Sequence, residues 1–180
     1  MRNRIRIIGG RWRSRWISFP TRAELRPTPD RVRETLFNWL GQDLTGRTCL
    51  DLFAGSGALG FEAASRGAKR VIMVERDAAT IRALQASRVT LGANAVELQR
   101  ADALEFLRAD ADLYDVVFLD PPFRADYLPR LWALLPQHLA PGALVYCESA
   151  ARAAAPEGWE TWKEGRAGQV RYQLLKRIQP

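Results

Sequence analysis

The sequence predicts an α/β fold built around a mostly parallel, doubly wound sheet. From residue 47 onward, short apolar segments alternate with longer segments of helical periodicity, which is the pattern of successive β-α-β units. A glycine-rich turn follows the first of these apolar segments, as is typical where a parallel strand leads into a helix. The end of the chain has the alternation of an antiparallel hairpin, so we expect that hairpin to close the sheet.

The expected strands and helices follow from these periodicities. Strands are expected near residues 48–53, 70–75, 95–99, 115–119 and 143–147. Helices are expected near residues 29–40, 57–66, 77–91, 102–108 and 125–138. Thr28 is expected to cap the first helix, with Pro29 as its first residue. The C-terminal hairpin is expected from strands at 159–164 and 169–177 with a turn at 165–168, after a loop or frayed helix at 149–155.

Positive charge is concentrated at the start of the chain. Residues 1–40 contain ten arginines and three acidic residues, whereas residues 41–180 contain 17 basic and 17 acidic residues. The opening segment predicts a small β-hairpin with a tight turn at its Gly-Gly pair, residues 9 and 10. Its arginines, interleaved with Trp12 and Trp16, suit contacts to nucleic-acid phosphates and bases, although a charged, solvated edge strand would have the same composition. We therefore expect a basic arm over residues 1–28 and a main domain over residues 29–180.

Several classes of protein are excluded by composition. Cys49 and Cys147 each lie in an apolar strand-like segment, so we expect buried thiols and neither a disulfide nor a thiol nucleophile. His138 is the only histidine, which excludes Ser-His-Asp and Cys-His catalysis and most zinc sites. No segment approaches the ~20 apolar residues of a membrane span, and the N-terminus lacks the apolar core of a signal peptide. We expect a cytoplasmic protein with no metal site and no membrane partner.

The glycine-rich turn, residues 51–60, indicates a site for a nucleoside-containing cofactor. Glycines let the backbone turn tightly, and N–H groups at the start of the next helix can face a ligand, although any strand-to-helix turn favours glycine. Glu75 follows Gly55 by 20 residues, at the end of the next strand, where ribose hydroxyls would lie. Asp51 disfavours a pyrophosphate and favours the cationic S-adenosylmethionine. Asp102 could accept from an adenine amine or could simply cap a helix.

The fourth expected strand of the sheet runs into Asp120-Pro121-Pro122-Phe123. In an open α/β sheet this segment would lie beside the glycine-rich turn, because ligands bind at the carboxyl ends of the strands. The Asp120 carboxylate and the free Pro121 carbonyl are two acceptors that could hold the two hydrogens of an exocyclic base amine. Phe123 would offer a stacking face for the base. An Asp-Pro-Pro segment can also serve only to end a strand.

Four segments together resemble the RsmD family of small-subunit ribosomal RNA guanine-N2 methyltransferases. They are Arg6–Gly10, Leu25–Asn38, Leu50–Gly60 and Phe118–Phe123. Residues 47–150 also resemble the wider class I S-adenosylmethionine-dependent methyltransferases, whose fold is Rossmann-like. Ser14 departs from the family, which usually has glycine there, and the chain after residue 149 carries no family feature.

The resemblance implies transfer of a methyl group from S-adenosylmethionine to the exocyclic N2 amine of a guanine in 16S ribosomal RNA. The sequence leaves open whether naked RNA or an assembled small-subunit particle is the substrate. One alternative is an amino-methyltransferase that acts on adenine N6 of DNA or RNA. A nicotinamide-dependent oxidoreductase is a second alternative, which would explain the glycines but neither Asp51 nor the Asp-Pro-Pro-Phe segment.

The motifs and the resemblance together define three groups of expected site residues. The expected catalytic residues are Asp120, Pro121, Pro122 and Phe123. The expected cofactor-binding residues are Thr28, Asp51, Phe53, Ala54, Gly55, Ser56, Gly57, Glu75, Arg76, Asp102 and Ala103. The expected RNA-binding residues are Arg4, Arg6, Arg11, Arg13, Arg15, Arg26 and Arg33.

Overall fold

A computed structural model of the chain describes residues 2–21, 27–122, 127–149 and 154–178. The strands are β1 (Arg2–Arg6), β2 (Trp16–Pro20), β3 (Thr48–Asp51), β4 (Arg70–Val74), β5 (Val96–Gln99), β6 (Tyr114–Leu119), β7 (Leu139–Ser149), β8 (Trp159–Ala167) and β9 (Val170–Arg177). The α-helices are α1 (Asp30–Leu40), α2 (Ala58–Ser65), α3 (Ala78–Leu91), α4 (Ala103–Ala109) and α5 (Tyr127–Leu134). Two short 3-10 helices cover Gly10–Trp12 and Leu135–His138.

Seven strands form the central sheet in the order β5-β4-β3-β6-β7-β9-β8. The strands from β5 to β7 are parallel, and β9 and β8 are antiparallel at one edge. This arrangement confirms the predicted mostly parallel α/β fold closed by a C-terminal hairpin. The chain moves from β3 toward one edge and then returns to place β6 on the other side of β3, so the strand order reverses between β3 and β6. Such a reversal leaves a crevice at the carboxyl ends of the two strands.

Both faces of the sheet are covered, because buried residues alternate along its strands. Cys49 belongs to the core cluster shared with α1, α2 and α3, whereas Leu50 belongs to the cluster shared with α4 and α5. The same alternation separates Phe118 from Leu119 on β6. Both cysteines are free and buried, as expected. Within the described residues, the structure has no helix that is both long enough and apolar enough to span a membrane.

Most element bounds agree with the sequence to within two residues, and the exceptions lie in the last third of the chain. The predicted helix 125–138 ends as an α-helix at Leu134 and continues as a 3-10 helix, because Pro136 lacks the N–H that α-helical bonding requires. The predicted turn at 165–168 is wrong. β8 continues to Ala167, where it pairs with Val170, so only two residues form the turn.

The N-terminal arm is a two-stranded sheet of its own, but its turn differs from the prediction. Arg6 pairs with Trp16, so residues 7–15 form the connection and Gly9-Gly10 is not a two-residue hairpin turn. Gly10 instead starts a 3-10 helix with φ +73°, and a Cβ there would come within 2.0 Å of the Ser65 carbonyl oxygen. The arm is therefore packed closely against the end of α2.

The start of α1 also differs from the prediction, because Thr28 does not cap the helix. Pro29 occupies the N-cap position, with no side-chain cap. The Thr28 hydroxyl instead donates to Glu148 on β7, at 2.9 Å from Oε1. A contact with a residue 120 positions away has thus replaced the local cap that the Thr-Pro pair predicted.

Candidate active site at the carboxyl ends of the parallel strands

Three carboxylates lie at the carboxyl ends of neighbouring strands, beside the reversal in strand order. Asp51 ends β3, and Asp120 directly follows β6. Leu119 of β6 pairs with Cys147 of β7. Asp120 follows Leu119 and Glu148 follows Cys147, so the two acidic residues lie at the same level of the sheet. Neighbouring strands are about 4.8 Å apart, so the three acidic side chains lie close together at the carboxyl ends of the strands. The crevice at these strand ends is where α/β proteins bind their ligands.

The glycine-rich turn is held open by two of the acidic residues that the sequence singles out. Asp51 Oδ2 accepts from the amide of Gly60 at 3.0 Å, and Glu75 Oε2 accepts from the amide of Gly55 at 3.2 Å. Gly57 has φ +82°, and a Cβ there would come within 2.7 Å of Leu84 and Phe61. Only glycine fits this position without strain, so the close turn depends on it.

The electrostatics of Asp51 suit a positively charged ligand. Burial raises the pKa of Asp51 to about 7, and the charge of Glu75 adds to the effect, although hydrogen bonds from the Gly60 and Phe53 amides oppose it. A nearby cation would favour the ionised form and recover the free energy that burial costs. An anionic pyrophosphate at the same place would raise that cost further.

The remaining predicted cofactor residues surround the turn. Ala54 and Ser56 are buried in it, and Phe53 lies edge-on to the Tyr127 ring at 5.8 Å between centroids. Arg76 is exposed directly after Glu75, and Ala103 is the buried first residue of α4. The structure thus brings these residues to the same edge of the sheet. Their contacts with a cofactor stay predictions.

Asp102 caps helix α4, which is one of the two roles that its sequence allowed, and its contact with an adenine amine stays a prediction. Its Oδ1 caps α4 by accepting from the amides of Leu104 at 2.9 Å and Glu105 at 3.3 Å. Its Oδ2 accepts from the Tyr127 hydroxyl at 2.6 Å. Burial acts to raise the pKa of Asp102, but these hydrogen bonds outweigh it and the net pKa is lowered. Asp102 is therefore an ionised acceptor beside Phe53 and Tyr127.

Asp120 is held in an unusually acidic neighbourhood. Burial raises its pKa well above the ordinary value, and the charges of Glu148 and Asp51 raise it further. Pro121 is buried and Pro122 is half-buried at the strand end. Phe123, the last of the predicted catalytic residues, lies outside the described residues. A carboxyl with a raised pKa is a better proton acceptor when ionised than an ordinary aspartate.

Glu148 is a site residue that sequence reasoning missed. It is buried, and its Oε1 accepts from the Thr28 hydroxyl at 2.9 Å and from the Tyr146 hydroxyl at 2.8 Å. Burial raises its pKa, although both hydrogen bonds oppose that shift. The clue in the sequence was an acidic residue directly after an apolar strand, which is also the position of Glu75 and Asp120.

Comparison with known proteins identifies the family of this chain. The family model described as "Conserved hypothetical protein 95" matches residues 5–176. The chain is 44% identical to Ribosomal RNA small subunit methyltransferase D of Escherichia coli strain K12, over 96% of this chain and 90% of that protein. The chain belongs to the RsmD family. Its membership confirms the resemblance that the four sequence segments carry.

Solved structures related to the RsmD family share the whole architecture. The structure of yhhF from Escherichia coli matches with a TM-score of 0.88 at 44% identity, over 97% of this chain and 98% of that one. The structure of HI0767 from Haemophilus influenzae matches with a TM-score of 0.82 at 38% identity, over 98% of this chain and all of that one. The arm and the C-terminal hairpin therefore fall within the region of similarity.

The RsmD-type arm exposes most of the arginines expected to bind RNA. Arg4, Arg6, Arg11, Arg13 and Arg15 are all exposed. Arg6 lies 3.8 Å from the Asp30 carboxylate, and Arg15 donates to the Thr90 carbonyl at 2.8 Å. These residues stay RNA-binding predictions, and Arg26 lies outside the described residues.

Two expected nucleic-acid contacts on the arm and on α1 are wrong. Trp12 is buried in the core, so it offers no face to a base, whereas Trp16 remains 57% exposed. Arg33 is fully buried and therefore cannot reach an RNA phosphate. Its guanidinium pairs with Glu62 at 3.2 Å and with Asp30 at 2.5 Å. Helical spacing placed Arg33 on the apolar face of α1, where a carboxylate from another helix neutralises it.

That carboxylate, Glu62 of α2, fastens the arm to the rest of the protein. It is fully buried and accepts from the amides of Ile8 at 2.9 Å and Gly9 at 2.8 Å. It also pairs with the guanidinium groups of Arg33 and Arg66. Four donors from three separate segments thus converge on one side chain. No group of three or more histidine, cysteine or acidic side chains arranged to hold a metal occurs among the described residues.

Proposed function

We propose that this protein transfers a methyl group from S-adenosylmethionine to the exocyclic N2 amine of a guanine in 16S ribosomal RNA. Its membership of the RsmD family supports this activity. The observation that carries the proposal is the placement of Asp120 and the Pro121 carbonyl beside the Asp51 turn, at the reversal of the sheet. This arrangement puts an amine acceptor site next to a cofactor site.

The acidic crevice favours S-adenosylmethionine as the cofactor. This cofactor supplies an electrophilic methyl group on a sulfonium, and it also carries an ammonium. Asp51, Asp120 and Glu148 form a buried acidic group whose pKa values are all raised, so a cationic ligand relieves their mutual repulsion. The dianionic pyrophosphate of a nicotinamide cofactor would increase that repulsion. The oxidoreductase alternative is therefore disfavoured by charge.

Asp120 and Pro121 have defined tasks in the transfer. A guanine amine is a weak nucleophile because its lone pair is delocalised into the ring. The Asp120 carboxylate and the Pro121 carbonyl bind its two hydrogens and turn the lone pair toward the methyl group. As the nitrogen–carbon bond forms, the sulfur–carbon bond breaks and its electron pair stays on sulfur. Asp120 then accepts the proton that the alkylated nitrogen loses.

The rest of the chain divides between binding RNA and holding the site. The arm, residues 1–28, presents its exposed arginines to phosphates, and the domain over residues 29–180 carries the chemistry. A guanine in a helix would have to leave its stack to reach Asp120. Thr28 is buried beside the crevice, where its hydroxyl donates to Glu148, and its predicted contact with the cofactor rests on the family resemblance.

The deciding experiment uses Asp120→Asn, which removes the charge and the proton acceptor with little change in volume. We expect methyl transfer to deproteinised 16S RNA to fall at least about 100-fold, while affinity for S-adenosylmethionine changes only a few-fold. Asp115→Asn is the matched control, because Asp115 lies at the opposite end of β6 and binds the Thr48 amide.

Mass analysis of nucleosides from the treated RNA identifies the product. N2-methylguanosine supports the proposal, whereas N6-methyladenosine would establish the adenine alternative. Near-normal turnover by the Asp120→Asn variant would refute the assigned role of Asp120. Calorimetric binding of NAD in preference to S-adenosylmethionine would refute the reaction class.

A further inference from the structure

A depression on the C-terminal hairpin lies outside the site described so far. Its volume is about 200 Å³, and it is lined by Ser149, Glu164, Gly165, Arg166, Arg171 and Gln173. We refer to it as the hairpin pocket. None of its lining residues belongs to the glycine-rich turn or to the arm.

The residues that line the hairpin pocket lie at the same end of the sheet as Asp120, where the parallel strands have their carboxyl ends. Ser149 is the last residue of β7 and directly follows Glu148, and it pairs with Arg171 at the start of β9. Because β7 runs parallel to β6, these residues lie at the carboxyl end of the strands. Two strand spacings, about 10 Å, separate β9 from β6. A nucleotide strand advances about 3.4 Å per stacked step, so this distance corresponds to about three nucleotides from the target base.

The charge arrangement in the hairpin pocket indicates an anionic ligand. Arg166 and Arg171 are directly paired across β8 and β9, and like charges in this position repel each other. Arg166 Nε donates to the Gly168 carbonyl at 2.7 Å, which orients the guanidinium and leaves its terminal nitrogens for another acceptor. Glu164 in the same lining partly offsets the two positive charges. A phosphate between the two guanidinium groups would turn their repulsion into paired, charge-assisted hydrogen bonds.

We propose that the hairpin pocket binds a backbone phosphate of the RNA strand, about three nucleotides from the base held at Asp120. This inference rests on the proposed function, because it assigns the phosphate to the substrate RNA. The cofactor residues Asp51, Glu75 and Asp102 end or follow β3, β4 and β5, on the other side of β6 from the pocket. The phosphate contact would fix the strand on the side of Asp120 away from the cofactor, and so set the position of the target base.

The test compares two double variants with the same change of charge. Arg166→Gln with Arg171→Gln removes the pocket's positive charge. Arg108→Gln with Arg177→Gln is the control, because both arginines are exposed near the ends of α4 and β9 at the opposite edge of the sheet. Binding of deproteinised 16S RNA is titrated over salt concentration, S-adenosylmethionine binding is measured by calorimetry, and thermal unfolding checks the fold.

We expect the pocket variant to bind the RNA about ten- to a hundred-fold more weakly than the control variant. The slope of log affinity against log salt should flatten by roughly 0.7–0.9 for each phosphate that the variant no longer neutralises, while affinity for S-adenosylmethionine stays unchanged. If the wild-type protein methylates the RNA, equal RNA affinity and equal slope in the two variants would refute the proposed phosphate contact in the hairpin pocket. A wild-type protein that binds the cofactor but does not methylate the RNA would instead overturn the proposed function, and the assignment of this phosphate with it.

Discussion

The raised pKa of Asp51 predicts that binding of S-adenosylmethionine depends on pH. In the free protein its pKa is about 7, because the carboxyl is buried and Glu75 lies nearby. Below pH 7 the carboxyl is mostly protonated and neutral, whereas a cationic ligand favours its ionised form. Binding of S-adenosylmethionine must therefore release protons, and affinity must rise as pH increases through the free-state pKa.

The size of the effect follows from that pKa. At pH 6 about nine-tenths of Asp51 is protonated and at pH 8 about one-tenth, so protonation of Asp51 alone weakens binding about tenfold at pH 6 relative to pH 8, or about 1.4 kcal/mol. We expect affinity to rise about tenfold between pH 6 and pH 8.

Titration calorimetry in buffers of different ionisation enthalpy measures both the affinity and the number of protons released. Asp51→Asn is the informative variant, because its amide oxygen can still accept from the Gly60 amide but its charge does not titrate. It should bind more weakly and show a shallower pH dependence. S-adenosylhomocysteine, whose sulfur is a thioether without the sulfonium charge, should release fewer protons from the wild-type protein. An affinity that stays constant from pH 6 to pH 8 would refute the link between Asp51 and a cationic ligand.

Two further predictions concern the arm. Glu62→Gln removes the buried counter-charge that the Arg33 and Arg66 guanidinium groups share, and it should lower the free energy of unfolding in urea by about 3–5 kcal/mol. Glu97→Gln, which breaks an exposed pair with Arg70, should lower it by only about 0.2–1 kcal/mol. Similar losses in the two variants would show that the buried pairs do not fasten the arm. The double variant Arg11→Gln with Arg13→Gln should flatten the salt dependence of 16S RNA binding without changing cofactor affinity. An unchanged slope of log affinity against log salt would show that these arginines are solvated and do not contact the RNA.

The arm must be tested by such substitutions, because it cannot be removed cleanly. Ile5, Ile7, Trp12 and Ile17 belong to the same buried cluster as α1 and α2. Removing residues 1–18 would expose that cluster to water and destabilise the whole protein, so weaker RNA binding would have no clear cause. Charge and packing are separable here only by changing exposed side chains.

The order and the type of the elements could be predicted from the amino-acid sequence. Apolar segments with a period of two, such as the one around Leu50, and helical spacing in α1 depend on neighbouring residues only. The glycine-rich turn and the Asp-Pro-Pro segment could also be predicted from the sequence, because both lie within a few residues of a strand end. The edge of the sheet that carries Asp51 and Asp120 could therefore be predicted without coordinates.

Which polar groups become partners depends on the three-dimensional packing and could not be predicted from local sequence. Arg33 and Thr28 looked available to ligands, yet Glu62 neutralises the first and Glu148 accepts from the second across 29 and 120 positions of sequence. Glu148 belongs to the site because β7 pairs with β6, and no local sequence pattern predicts that pairing. Burial and charge pairing depend on which strands and helices become neighbours in space. The identity of a buried partner is therefore settled by strand order and packing, whereas the tendency to form a strand or a helix is settled by local sequence.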